Sequence, residues 1–241
     1  MTEARPAFYA LAGGGWREYV TLLHPPYTLW HLSYVAIGAA LAPHVDFARL
    51  GATLAAFFLA VGIGAHALDE LAGRPLRTRI GNATLAALAG SSLAAAVGIG
   101  AYSCVWISPW LAAFVAFGGF AVVAYNLELA GGRFHTGLWF ALAWGAFPAL
   151  TGYFAEAETI RAEALLAAAF AAVLSSAQRV LSAEVRRIRR EAASVTGTIE
   201  LHDGRRERLA AGTLIRAPET ALRALSTAMP LLAAALVAAR A

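Results

Sequence analysis

The chain has 241 residues, of which 59% are hydrophobic and only 14% are charged, whereas a soluble domain carries about 25% charged residues. This composition excludes an ordinary soluble domain and indicates an integral membrane protein. The net charge is +4 and all 19 basic residues are arginine, but they stand between apolar segments, which argues against nucleic acid as a partner. The single cysteine excludes an internal disulfide bond.

The predicted elements are α-helices, because apolar segments recur that are long enough to cross a bilayer, which takes roughly 20 residues. They follow a lead-in at residues 1–24, which lacks the features of a cleavable signal peptide. The sequence therefore predicts an all-α fold, a polytopic transmembrane bundle whose first six spans occupy residues 25–184. The seven predicted spans are 25–43, 49–71, 82–101, 106–129, 136–155, 162–184 and 219–239.

Arginine is distributed unevenly among the loops of this predicted bundle. It precedes the first span and follows the second, fourth and sixth, whereas the alternate loops hold only Arg49 and Arg161. Loops rich in basic residues stay on the cytoplasmic side of a membrane. The pattern therefore predicts a multi-pass protein of the cell membrane, embedded in the lipid bilayer with its amino terminus in the cytoplasm.

The longest polar stretch, residues 185–218, begins with arginines that extend the sixth span. Alternating residues on either side of Asp203-Gly204 then predict a β-hairpin, so this stretch is expected to form a small cytoplasmic cap. Pro218 and Glu219 suit the beginning of a last helix, which would occupy residues 219–241.

A polar cluster closes the second predicted span. His66, Asp69 and Glu70 are spaced i, i+3 and i+4, so their side chains share a helix face. Carboxylates in this arrangement can hold Mg²⁺, which binds one or two carboxylates together with water and substrate phosphates. Arg74 and Arg77 follow within the next turns, and their guanidinium groups are suited to receive phosphate oxygens.

The fourth span closes with Tyr125, Asn126 and Glu128, and His135 follows in the sequence. Tyr125 and Glu128 are three residues apart and share a helix face. Glu128 or His135 could serve as a general base or as a further metal ligand. The alternative is that Tyr125 anchors its helix at the membrane interface and Thr136 caps the next helix.

The sixth span closes with a cluster that includes Arg179 and Glu184. Arg179 lies deep enough to need a partner, either a carboxylate of the other clusters or a bound anion. The arginines at 186–190 are predicted to face the lipid surface, and His31 in the first span to be a hydrogen-bonded interior histidine. Because ionisable groups at membrane depth usually face a protein interior or a water-filled cavity, the three clusters predict one shared polar cavity.

The sequence resembles the UbiA superfamily of intramembrane prenyltransferases over roughly residues 17–240. The segment 66–76 resembles that family's first aspartate motif, and 182–190 stands where the second belongs, although Glu184 is the only acidic residue there. The first span resembles the family's at 23–30 and 38–42, and the fourth and fifth spans do so at 125–153.

Members of that family bind an isoprenoid diphosphate through Mg²⁺ and transfer its prenyl group to a lipophilic acceptor in a cavity open to lipid. The resemblance therefore implies a UbiA-like bundle, a transferase of alkyl groups, and Mg²⁺ as the cofactor. The roles that it implies are metal binding by His66, Asp69 and Glu70, contact with the diphosphate by Arg74, Arg77 and Arg179, substrate binding by Asn126, and catalysis by Asp69, Glu70, Tyr125 and Glu128.

Two other functions fit the same residues. One is a different membrane metalloenzyme that uses His66, Asp69, Glu128 and His135 as nitrogen and oxygen ligands. The other is a protein without catalytic activity that keeps the fold and binds a lipid or a partner, a possibility favoured by the loss of the second acidic motif.

Overall fold

Helices dominate the computed structural model, which describes residues 5–241. A short helical turn at Leu129–Gly132 and a two-stranded antiparallel hairpin, β1 at Gly197–Glu200 with β2 at Arg206–Leu209, complete the fold. The helices are α1 Trp16–Leu22, α2 Pro25–Ala40, α3 Phe47–Gly73, α4 Asn82–Trp106, α5 Leu111–Asn126, α6 Gly137–Ala157, α7 Ala162–Glu191 and α8 Ala211–Ala238.

Five of these helices, α3, α4, α6, α7 and α8, are long and apolar enough to cross a membrane by length and composition. The prediction of a membrane-embedded helical bundle is therefore confirmed. Helices α2 and α5 have 16 residues each and measure about 24 Å at 1.5 Å per residue, less than the roughly 30 Å of a bilayer's hydrocarbon core. Seven spans and a cytoplasmic amino terminus stay predictions.

Side-chain caps fix the beginnings of two helices. The Asp46 carboxylate accepts hydrogen bonds from the backbone N–H groups of Ala48 and Arg49, and the Thr136 hydroxyl accepts one from that of Trp139. Such caps satisfy N–H groups that have no partner within the helix. Because successive long helices run in opposite directions, α3, α5 and α7 finish where α2, α4 and α6 begin. We call this end of the bundle the polar end.

The bundle's last third differs from the predicted division into a loop at 185–218 and a span from 219. Helix α7 continues to Glu191, the hairpin follows, and α8 begins at Ala211. Pro218 lies inside α8 rather than at its start. There it removes the hydrogen bond that its N–H would give to the Leu214 carbonyl, and its ring crowds that carbonyl. Glu219 joins α8 to α7, because both of its oxygens accept from the Arg189 guanidinium at 2.8 and 3.0 Å.

Helices α2 and α6 pack backbone to backbone because glycines face each other across their interface. A Cβ atom added to Gly38 would lie 2.0 Å from the Ala149 carbonyl oxygen, and one added to Gly152 would lie 2.1 Å from that of Val35. No real Cβ atom makes such contacts, so glycine is required at both positions. This close approach fixes the distance between α2 and α6.

We expect the substitution Gly152→Ala to destabilise the protein by about 1–3 kcal/mol, because the two helices must separate to admit a methyl group. The control is Gly119→Ala, since a Cβ at Gly119 meets no atom within 4 Å and alanine favours a helix more than glycine does. The measurement is the free energy of unfolding in mixed micelles titrated with dodecyl sulfate. Equal stabilities of the two variants would contradict the packing described.

Candidate functional site

A polar cavity of about 330 Å³ lies at the polar end, between α2, α3, α5, α6 and α7. The structure thus brings together side chains from all three clusters that the sequence singled out. Pro6 and Tyr9 of the amino-terminal segment also reach its wall. The sequence-predicted site residues that line the cavity are His66, Asp69, Tyr125, Asn126, Glu128 and Arg179.

Glu70, proposed from the sequence as a metal ligand and catalytic residue, does not line this cavity. Its side chain is fully buried, and its oxygens accept hydrogen bonds from the backbone N–H groups of Leu76 at 2.9 Å and Thr78 at 2.7 Å. Successive helical residues point about 100° apart, so Asp69 faces the cavity while Glu70 faces the loop after α3. Glu70 therefore holds that loop in place.

Arg74 and Arg77, predicted to receive phosphate, also lie outside the cavity. The Arg74 guanidinium donates to the carbonyls of Thr78 and Ile80, at 3.2 and 2.6 Å, and to the side chain of Asn82. It thereby closes the loop between α3 and α4. Arg77 lines a separate surface cavity of about 310 Å³ together with Glu18.

Substitutions of the neighbouring residues Glu70 and Asp69 are consequently expected to change the stability of the protein by different amounts. We expect Glu70→Gln to lower the free energy of unfolding by about 2–3 kcal/mol, because an amide cannot accept from two N–H groups as a carboxylate does. We expect Asp69→Asn to change it by less than about 1 kcal/mol. Dodecyl sulfate titration measures both, and a larger loss for the Asp69 variant would show that the two roles are reversed.

The cationic side of the cavity is one face of α7. Arg179, Arg186 and Arg190 all line the cavity, and their spacing of seven and then four residues places them on a single helical stripe. The sequence reasoning treated the run 186–190 as one lipid-facing surface; it considered Arg186 only as a possible replacement for metal charge and gave Arg190 no role. The spacing of seven and four residues could have identified all three. Arg187 does not have this spacing, lies off the stripe and forms an exposed ion pair with Glu184.

These three arginines keep their charge available to a ligand. The Arg179 guanidinium donates to the Tyr125 hydroxyl and lies 5.6 Å from the centre of the Phe140 ring, so the predicted pairing of Arg179 with a carboxylate is not what the structure shows. Arg186 donates to the Ser182 hydroxyl at 2.9 Å, and Arg190 to the Pro6 carbonyl at 3.4 Å. Within residues 5–241, none of the three forms an ion pair with a carboxylate.

Gln178, on the same stretch of α7, adds an unused amide to the cavity wall. The residue is only 3% exposed, and its Oε1 atom has no hydrogen-bond partner among the described residues. A buried amide oxygen without a partner is costly. A ligand that brought a hydrogen-bond donor to this amide would remove that cost.

His24 is a second wall residue to which the sequence gave no role. Its ring stacks on His66 with 4.0 Å between the ring centres, and its Nδ1 lies 2.9 Å from the Tyr9 hydroxyl. Burial, followed by the neighbouring His66, lowers the pKa of His24 well below its usual value, and burial raises the pKa of Tyr9. Both groups are therefore neutral at pH 7. The left-handed backbone of His24, with φ of 45° immediately before Pro25, is a strained conformation of the kind found at binding sites.

The side chains present do not fit a metal ion held by the protein. Within the described residues, no group of three or more His, Cys, Asp or Glu side chains is placed to hold one. Asp69 is on the cavity wall, but Glu70 serves the loop. Glu128 lies at the rim with 65% of its side chain exposed, 3.9 Å from Nδ1 of His135. Neither the predicted Mg²⁺ ligands nor the set proposed for another metalloenzyme is assembled as a metal site.

An apolar cleft adjoins the polar cavity. It runs between α3, α4, α5 and α6, with Phe57, Val61, Val122 and Phe147 among its lining residues. Trp144 of α6 belongs to the walls of both the cleft and the cavity. A ligand that lay along both sides of Trp144 would have a charged head beside the arginines and an apolar chain in the cleft.

Comparison of the chain with family models, with curated proteins and with solved structures found no match in any of the three.

Proposed function

We propose that this protein is an intramembrane prenyltransferase of the UbiA type, which transfers a prenyl group from an isoprenoid diphosphate to a lipophilic acceptor. The observation that carries the proposal is that Trp144 belongs to the walls of both an arginine-lined cavity and an apolar cleft. An isoprenoid diphosphate has this division, since a compact anionic head is joined to a long apolar chain. The sequence resemblance to the family gives independent support.

In this proposal, Arg179, Arg186 and Arg190 of α7 bind the diphosphate, which Mg²⁺ ions bind in members of the UbiA superfamily. Guanidinium groups bind phosphate oxygens in a bidentate way and stay charged at any physiological pH. Arg179, Arg186 and Arg190 together offer three positive charges to a head group that carries about as much negative charge. Such interactions are stronger in a partly enclosed cavity than at a fully exposed surface.

The same charges favour the chemical step. The bond between the first carbon of the prenyl chain and the diphosphate oxygen breaks, and its electron pair leaves with the diphosphate. Arginines stabilise the negative charge that develops there. The nucleophilic atom of the acceptor then forms a bond to the first carbon and loses its proton. The apolar cleft keeps water from the electron-poor prenyl chain, and Tyr125 and Asn126 lie on the wall that an acceptor would face.

The direct test uses the purified protein in lipid nanodiscs with tritium-labelled geranylgeranyl diphosphate. We expect saturable binding that persists after treatment with EDTA, because the head is held by side chains. Addition of a total lipid extract as the source of acceptor should release diphosphate and label a lipid. Absence of saturable binding, with and without added Mg²⁺, would contradict the proposal.

A second candidate function is lipid binding without catalysis. It is favoured by the commitment of Glu70 to the loop after α3 and by the exposed position of Glu184, which forms a pair with Arg187. Both residues belong to segments that resemble the family's acidic motifs. Binding of the labelled diphosphate without release of diphosphate in the presence of the lipid extract would select this function.

A further inference from the structure

His31 bonds to Trp144, the residue that the walls of the polar cavity and the apolar cleft share. It lies on α2, is 4% exposed and lines the cavity. Its ring lies 6.1 Å from that of Phe140, over which the Arg179 guanidinium is placed, and it bonds to the backbone of Trp144. His31 thus neighbours both the aromatic ring on which Arg179 lies and the residue that borders the apolar cleft.

One nitrogen of His31 has a structural partner. Nδ1 lies 2.7 Å from the Trp144 carbonyl oxygen, and since a carbonyl only accepts hydrogen bonds, Nδ1 carries the proton. The carbonyl is free for this bond because residue 148, four positions further along α6, is Pro148, which has no N–H to donate. The segment Leu142–Ala146, just before this proline, is π-helical, a distortion frequent at functional sites.

The other nitrogen, Nε2, is therefore a hydrogen-bond acceptor in the neutral ring. Within residues 5–241 no side chain or backbone group bonds to it. His66 repeats this arrangement, since its Nδ1 lies 3.1 Å from the Gly62 carbonyl. Histidines held through Nδ1 in this way present Nε2 in a fixed direction, which is what proton transfer requires.

We propose that His31 is the general base of the transfer, and this inference rests on the proposed function. The acceptor atom attacks the first carbon of the prenyl chain as the bond from that carbon to oxygen breaks and the diphosphate leaves with the electron pair. The proton of the acceptor passes to Nε2 of His31, which becomes an imidazolium. The departing diphosphate can take that proton and restore the neutral ring, so atoms and charges balance.

The position of His31 also explains why the two bases expected from the sequence are less suited. Glu128 is at the rim of the cavity and largely exposed, and His135 lies beside it. His31 instead is buried and bonded to Trp144, the residue that also borders the cleft in which the prenyl chain would lie.

The test uses a variant that keeps the structural bond made by Nδ1 of His31 and removes Nε2. In His31→Asn the side-chain amide N–H takes the place of Nδ1 and keeps the bond to the Trp144 carbonyl, whereas the Nε2 position is lost. We expect this variant to bind geranylgeranyl diphosphate within threefold of the wild type but to release diphosphate at least about 100-fold more slowly with the lipid extract. His44→Asn, in an exposed loop, serves as the control and should behave like the wild type. A purely structural His31 predicts an unchanged rate.

A binding experiment reports on the same atom without any reaction. Geranylgeraniol carries a hydroxyl donor on its first carbon, and its methyl ether does not. We expect the wild type to bind the alcohol about tenfold more tightly than the ether, the value of one hydrogen bond of about 1.4 kcal/mol, and the Asn variant to lose this preference. In ¹⁵N-histidine spectra of the wild type, which need no variant, the alcohol but not the ether should shift the Nε2 signal of His31.

The outcomes distinguish this inference from the function on which it rests. Equal binding of alcohol and ether, an unchanged rate in His31→Asn, or a preference that survives in that variant would overturn the role of His31 while leaving diphosphate binding intact. Failure of the wild type to bind the diphosphate would overturn the proposed function itself, and the role of His31 with it.

Discussion

Replacing Arg179 with glutamine is expected to weaken the binding of geranylgeranyl diphosphate by at least about 30-fold, which corresponds to about 2 kcal/mol. The guanidinium is held by the Tyr125 hydroxyl and the Phe140 ring, so it is already oriented before a ligand arrives. Little side-chain entropy is lost on binding, and its full charge acts on the head group. Equilibrium binding to the nanodisc-embedded protein measures the effect.

The matched control is Arg187→Gln. Arg187 lies on the same helix but is exposed, forms an ion pair with Glu184 at 2.9 Å and does not line the cavity. We expect it to bind the diphosphate within twofold of the wild type. If both variants lost affinity equally, the effect would come from the general positive charge of this end of the protein, and the arginine-lined cavity would not be the binding site.

The second large effect concerns the apolar cleft. Gly119 of α5 lines it, and a side chain added there meets open space. It lies six residues before Tyr125, about 9 Å along the helix axis, so a long chain that starts beside Tyr125 and follows the cleft would reach it. We expect Gly119→Phe to lower the affinity for geranylgeranyl diphosphate about tenfold or more, because the ring takes the space of apolar chain that would otherwise be buried.

Shorter chains should be less affected, since they end near this position. We therefore expect geranyl diphosphate to bind Gly119→Phe within threefold of the wild type, so the preference of the variant shifts towards short chains. Gly98→Phe is the control, because Gly98 is exposed on α4, has no atom within 4 Å of an added Cβ and does not line the cleft. A loss of affinity independent of chain length would place the chain elsewhere.

Much of the architecture was predictable because a membrane limits what a chain can do. Apolar segments of the required length had to be helices, and short loops between them had to produce opposite directions. Polar clusters at the ends of alternate segments therefore had to meet at one end of the bundle. That Asp69, Tyr125 and Arg179 reach one cavity follows from this geometry, and the sequence was sufficient to predict it.

The detailed composition of the site was harder to predict. His66, Asp69 and Glu70 have a spacing compatible with one face, yet the loop after α3 folds back and takes both oxygens of Glu70. Periodicity along one helix does not report what a neighbouring loop brings to it. For the same reason the sequence gave no role to His24. The position of its ring depends on the left-handed backbone conformation of His24 and on its stacking against His66.

By itself, then, the sequence determined a membrane-embedded helical bundle with a polar end rich in arginine, because hydrophobic length and the cost of buried charge act on each segment separately. The tertiary structure decided which charges share a cavity, that Arg179, Arg186 and Arg190 of α7 form no ion pair with a carboxylate among the described residues, and that His31 is hydrogen-bonded to the Trp144 carbonyl. Those facts depend on contacts between residues more than a hundred positions apart, such as Val35 with Gly152, and only packing of the helices against one another creates them.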